Sequence, residues 1–220
     1  MAENNQTTIG QSLKDLGFDD NTLLQFQLET ELKSGKRQFI LYTKAFYDEY
    51  TKLLAELHFC KASSSGHPIL VKYETVLCFS DDPAKNRSQT FYINNGTGVT
   101  LREAYNLLQG RSVNKNIVSL DSQQYNAWIK INFSKKDGEG NYKVHQYRSS
   151  YGYDLEKVLE KYPIRELQSE ETKASLIRSL CSGNMQICTF DKPTKAETMN
   201  IEANPMFKTI NIYPAKGSRT

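Results

Sequence analysis

The sequence predicts an α+β fold of antiparallel hairpins with helices between them, and three observations lead there. Short stretches alternate strictly between apolar and polar residues, glycine and proline punctuate them, and two pairs of segments resemble each other in mirrored order, A-B-B'-A'. The last observation predicts two related α+β units with internal pseudo-symmetry.

The inner pair carries most of that reading. Val71 to Gln109 reads as a strand, a polar turn, a second strand near Gln89 to Asn94, and a helix; Val71, Tyr73, Thr75, Leu77 and Phe79 form the apolar face of the first strand. Tyr125 to Pro163 repeats this order, and a constant offset of 54 aligns Phe79-Ser80 with Phe133-Ser134, Gly98 with Gly152, and Thr100 with Asp154. Thr100 and Asp154 are both N-cap residue types, and Thr100-Leu-Arg-Glu103 has the spacing of a capping box. In the outer pair, Leu28, Leu32, Ser34, Gly35 and Gln38 match Leu176, Leu180, Ser182, Gly183 and Gln186. Helix-glycine-strand is a common arrangement, so duplication and chance identity both account for that match.

The elements follow in order. Residues 1–10 read as a disordered polar tail and 11–110 as the first unit. A short helical segment covers Ser12 to Gly17, and Asp19-Asp20 are placed to cap a helix from Thr22 to Lys33, whose apolar stripe is Leu23, Leu24, Leu28 and Leu32. Strands are expected at Arg37 to Lys44 and at Lys52 to Cys60, the latter with Leu53, Ala55, Leu57 and Phe59 on one face. Ser63-Ser64-Ser65-Gly66-His67-Pro68 reads as a loop. Residues 111–124 read as a polar linker, 125–214 as the second unit and 215–220 as a tail. Within the second unit Asp137-Gly138-Glu139-Gly140-Asn141 is a hairpin turn, Asp154 opens a helix that Pro163 ends, and Ser169 caps another. Strands at Met185 to Phe190, Thr198 to Ala203 and Phe207 to Tyr213 close the chain, with Asn204-Pro205 turning between the last two.

Composition limits the functional classes. With 38% hydrophobic residues among 220, the chain has enough apolar material for one large domain or two small ones. No apolar run approaches the ~20 residues of a membrane span, and MAENNQTTIGQ has neither basic nor apolar signal character, so a cytoplasmic protein without a membrane partner is expected. A net charge of +3, spread along the chain, permits a nucleic-acid partner without requiring one. Cys60, Cys78, Cys181 and Cys188 lack metal-ligand spacing and are expected to be buried thiols.

Chemistry-bearing motifs are few. His58, His67 and His145 lie far apart, and no catalytic residue, cofactor or metal site is expected. Gly96-Thr97-Gly98 precedes a helix but lacks the rest of a phosphate-loop motif, which favours an ordinary strand-to-helix turn. Trp128 has two readings. By alternation it lies opposite Ala127, Ile129 and Ile131, beside Asn126, Lys130 and Asn132, where it is either an exposed stacking residue or core under a covering element. The neighbouring strand brings Lys143, His145, Tyr147 and Arg148 to the same sheet, and Tyr92 is a further sheet aromatic. These residues, Trp128, Lys130, Tyr92, Lys143, His145, Tyr147 and Arg148, form the candidate binding set.

Several segments carry a family resemblance: Thr90-Phe-Tyr-Ile-Asn-Asn-Gly, Val99 through Arg111, Tyr125-Asn-Ala-Trp-Ile, Tyr151-Gly-Tyr-Asp-Leu-Glu-Lys157 and Ile201 through Tyr213. Residues 12–214 resemble a domain family of Bacteroidetes, with no assigned activity, that is carried on conjugative transposons and plasmids and is sometimes repeated or appended to DNA-processing proteins. The resemblance implies an accessory role in mobile-element biology. The expected function is a non-catalytic binding domain whose partner is DNA or RNA. A protein-interaction module is the alternative, and an enzyme ranks last.

Overall fold

The computed structural model describes residues 2–18, 22–62, 66–94, 97–118 and 123–215. The chain divides into two compact units, residues 1–108 with 138–141, and residues 109–137 with 142–220. The described residues form a mixed α+β protein of antiparallel sheets.

The first unit opens with α1 (Ala2–Asp15) and α2 (Thr22–Ser34). A helix thus occupies most of the stretch expected to be a disordered tail. Ile9, Leu13 and Leu16 recur at helical spacing and are buried, so the apolar stripe anchors the turns beyond it. Asp19 and Asp20 lie outside the described residues. In α2 the buried stripe is Leu24 and Leu28, while Leu23 is exposed.

A meander of β1 (Gln38–Ala45), β2 (Thr51–Lys61), β3 (Pro68–Phe79) and β4 (Arg87–Tyr92) follows, with each strand antiparallel to the next. Alternation buries Leu53, Ala55, Leu57 and Phe59, as the sequence predicts, and leaves Leu54, Glu56 and His58 on the other face. Tyr73 is fully buried in β3. Its ring packs edge-on against Phe18 and stacks on Phe91, and its hydroxyl donates to the Val99 carbonyl at 2.6 Å. That bond ties the sheet to the start of α3 (Leu101–Leu108).

The predicted capping box is formed. Glu103 N donates to Thr100 Oγ1 at 3.2 Å, and Thr100 N donates to the Glu103 carboxylate at 2.8 Å. Before it, Asn94 and Thr97 exchange paired backbone bonds, while Gly96 of the Gly96-Thr97-Gly98 motif lies outside the described residues. Gly98 relieves close packing there, because a Cβ would stand 2.4 Å from Ile93 Cδ1, which would have to move, and 3.2 Å from the Tyr92 carbonyl oxygen.

Asp48 organises the connection from β1 to β2. Its carboxylate accepts from Tyr50 N and Thr51 N at 2.7 Å, from the Thr51 hydroxyl at 2.9 Å, and from the Tyr105 hydroxyl of α3. Desolvation pushes its pKa up, but these four bonds outweigh it and hold the group below the usual carboxylate range.

In the second unit, residues 113–118 form β5 (Val113–Val118) where a linker is expected. The strand V-N-K-N-I-V lacks clean alternation. It is held by fully buried Val113 opposite Ile129 and by side-chain amide bonds among Asn114, Asn116 and Asn126. β5 pairs with β6 (Gln124–Lys136), and β6 with β7 (Tyr142–Arg148). α4 (Leu155–Leu159) is capped by Asp154, whose Oδ1 accepts from Lys157 N at 3.2 Å. α5 (Glu170–Cys181) has Ser169 at its N-cap without a side-chain capping bond, and Glu170 and Glu171 in its first turn face the helix dipole.

A second antiparallel sheet has the order β10 (Thr209–Pro214), β9 (Glu197–Asn204), β8 (Gln186–Phe190). Gly35 and Gly183 close α2 and α5 with φ of +70° and +78°, and Gln38 and Gln186 each begin the strand that follows. The core of this unit gathers Leu155, Leu159, Leu176, Leu180, Phe190 and Ile201 around Trp128.

Of the four cysteines expected to be buried, only Cys188 is fully so; Cys60, Cys78 and Cys181 are half-buried. Burial pushes the Cys188 thiol up to about 12.

Three predictions follow from this packing. Leu180→Ala should cost about 2–5 kcal/mol in denaturant unfolding, since the side chain is fully buried. Native-state alkylation at pH 8, read by mass spectrometry, should modify Cys60 and Cys78 well before Cys188. Because the folded pKa of Asp48 is depressed, its contribution is present above the unfolded value of ~3.9 and is lost as pH falls through the folded one. The unfolding midpoint of the wild type should therefore fall more steeply below pH ~5 than that of Asp48→Asn.

Candidate functional site

The register of the β5-β6-β7 sheet decides which predicted site residues share a face. Trp128 pairs with Tyr147, Lys130 with His145, and Asn132 with Lys143, so these six point to one side. Arg148 pairs with Ala127 and points to the other, where its guanidinium lies 4.0 Å from the centre of the Tyr125 ring. Tyr92 belongs to the first unit, on β4; it is 56% exposed, and its hydroxyl donates to the Glu139 carboxylate at 3.0 Å.

Trp128 is core. It is 6% exposed and meets Tyr153 edge-on at 5.4 Å, within the cluster built from α4, α5 and the β10-β9-β8 sheet. The reading of Trp128 as a stacking residue is therefore replaced by the packing one. Amphipathic helices and a second sheet need an apolar surface to cover, and the indole supplies it.

Further along the same face the covering ends. Lys143 and His145 are exposed and Lys130 is half-buried. His145, Tyr147 and Tyr151 form a row of rings, with centroids 6.4 Å and 5.0 Å apart. Tyr147 packs partly against the core, and burial together with neighbouring Tyr151 raises its pKa, so it stays a neutral phenol. Tyr151 donates to the Met206 carbonyl at 2.8 Å, and the Lys208 ammonium sits 4.7 Å from its ring centre. Lys130, Lys143 and Lys208 form no ion pair with a described residue. The result is a ribbon of rings flanked by lysines.

Tyr151 and Lys208 are site members that sequence reasoning did not select. Lys208 has φ of +52°, in the turn after Asn204-Pro205, so its position is set by turn geometry. A lysine in a turn carries no pattern that marks it in advance.

The outer face of the first unit holds a different group. Glu56 stands opposite Glu74, and His58 opposite Lys72, across β2 and β3. The Lys72 ammonium is 2.6 Å from Glu74 Oε1; this hydrogen bond holds the Glu74 carboxyl low and raises the Lys72 pKa. An open hollow of about 560 Å³, lined in part by Gln38, Ile40, Tyr42, His58 and Lys72, lies beside them. The sequence offered Glu56-x-His58 on one strand, but the third member arrives only through strand pairing.

Among the described residues no helix is long and apolar enough to cross a membrane. Compared with protein-family models, curated proteins and solved structures, the chain matches none of them.

Proposed function

We propose that this chain is a non-catalytic accessory domain that binds single-stranded DNA or RNA through the ribbon of Lys130, Lys143, His145, Tyr147, Tyr151 and Lys208. The observation that carries the reading is the row of rings at His145, Tyr147 and Tyr151 beside three lysines that have no carboxylate partner among the described residues. Cations that track a phosphate backbone and rings that stack bases are what sequence-tolerant single-strand binding requires. The mobile-element setting comes from the family resemblance. A duplication in A-B-B'-A' order is supported by the matched N-caps Thr100 and Asp154 and by the matched helix-glycine-strand transitions.

A second reading, a protein-docking module, is favoured by the outer face of the first unit, where Ile40, Tyr42, Leu54, Ile69, Val76 and Tyr92 are exposed. On that reading a partner covers the face, and binding survives nuclease treatment.

Poly-dT and poly-U oligonucleotides titrated at several salt concentrations separate the two. Affinity should fall steeply with salt, and Lys143→Ala or Lys208→Ala should each reduce the slope of log K against log salt by about 1. Tyr151→Ala should weaken binding by about 1–3 kcal/mol if its ring stacks a base. Absence of binding to either polymer at low salt would remove the nucleic-acid reading.

A further inference from the structure

Within the first unit, strand pairing creates a local electrostatic problem that the sheet does not fully solve. Glu56 and Glu74 are direct antiparallel partners on the outer face, and directly opposed like charges destabilise a sheet. Lys72 engages Glu74, but Glu56 forms no hydrogen bond or ion pair with any described residue. His58 completes the group. Its Nε2 is shut off from solvent and lies 3.4 Å from Glu74 Oε1, off the line of a hydrogen bond, so this buried nitrogen has no hydrogen-bond partner among the described residues. A buried polar atom left in that state is costly unless something outside the chain meets it.

One ligand atom each from Glu56, His58 and Glu74 lies within 4.8 Å of the other two. In a tetrahedral zinc site, bonds of ~2.0–2.2 Å place ligand atoms roughly 3.4 Å apart, so rotation of the exposed Glu56 and half-buried Glu74 carboxylates closes the gap without moving the backbone. We propose that these three residues form a binding site for a divalent transition-metal ion of the zinc type.

The donor set selects the ion. One imidazole with two carboxylates suits Zn²⁺, Co²⁺ or Ni²⁺ better than Ca²⁺ or Mg²⁺, which take oxygen ligands alone. The metal satisfies the His58 nitrogen, neutralises the opposed carboxylates and cross-links β2 to β3. Three protein ligands leave a coordination position for water or an exogenous donor, on the face that also holds the hollow lined by Gln38, Ile40, Tyr42 and Lys72. Lys72 is the competitor: its ammonium occupies Glu74 Oε1 when no metal is bound, and it withdraws when one is.

The full-length chain, stripped with a chelator, is titrated with Zn²⁺ against a chromophoric competitor, and with Co²⁺ by visible absorption. One Zn²⁺ per chain is expected, with affinity lowered at least tenfold by His58→Ala and by Glu74→Gln. Lys72→Met should raise it severalfold, a gain that no misfolded variant would show, and Cys60→Ser should leave it unchanged. Circular dichroism confirms folding of each variant. Failure of the wild type to bind one equivalent, equal affinity in folded His58→Ala, loss of affinity in folded Lys72→Met, or dependence on Cys60 would each overturn the assignment.

Discussion

One-sided burial of the β1-β4 sheet is the constraint from which the first unit follows. An antiparallel sheet alternates its side chains, so filling one face with Leu53, Leu57, Tyr73 and Leu77 commits the residues between them to the other. Tyr73 anchors the filled face. Its ring contacts Phe18 and Phe91 while its hydroxyl reaches the entrance of α3, so sheet, helical connector and capped helix meet at one residue. The opposite face inherits Ile40, Tyr42, Glu56, His58 and Glu74, a mixture of apolar and titratable groups that no core would accept.

Strand edges are handled by individual polar side chains. Gln27 of α2 both donates to the Tyr42 carbonyl and accepts from Tyr42 N at 2.9 Å, occupying the edge of β1. Asn141 accepts from Thr90 N at 2.8 Å on β4, and both carboxylate oxygens of Glu166 accept from Thr189 N at 3.0 Å on β8. Such side-chain bonds use up backbone groups that would otherwise template another strand.

The two units differ in surface chemistry. In the first, Lys72 and Glu74 already sit together on the outer face. In the second, β7 carries Lys143 and His145 on an edge strand, with Lys130 and Lys208 beside the aromatic row and no carboxylate engaging them among the described residues.

The sequence by itself determined the order of most strands and helices, the capping residues Thr100 and Asp154, the glycine stops at Gly35 and Gly183, and the buried row Leu53, Ala55, Leu57 and Phe59. All of these rest on interactions within a few residues, where period and local hydrogen bonding are legible. Only the tertiary structure decided that residues 113–118 pair as a strand, that a helix begins at Ala2, and that Trp128 is covered while Lys143 and His145 stay open. It alone set Glu74 across from Glu56 and beside His58. The physical reason is that strand register and the covering of a face are set by long-range pairing and by helices distant in the chain, and a two-residue period is the same whichever face is finally buried.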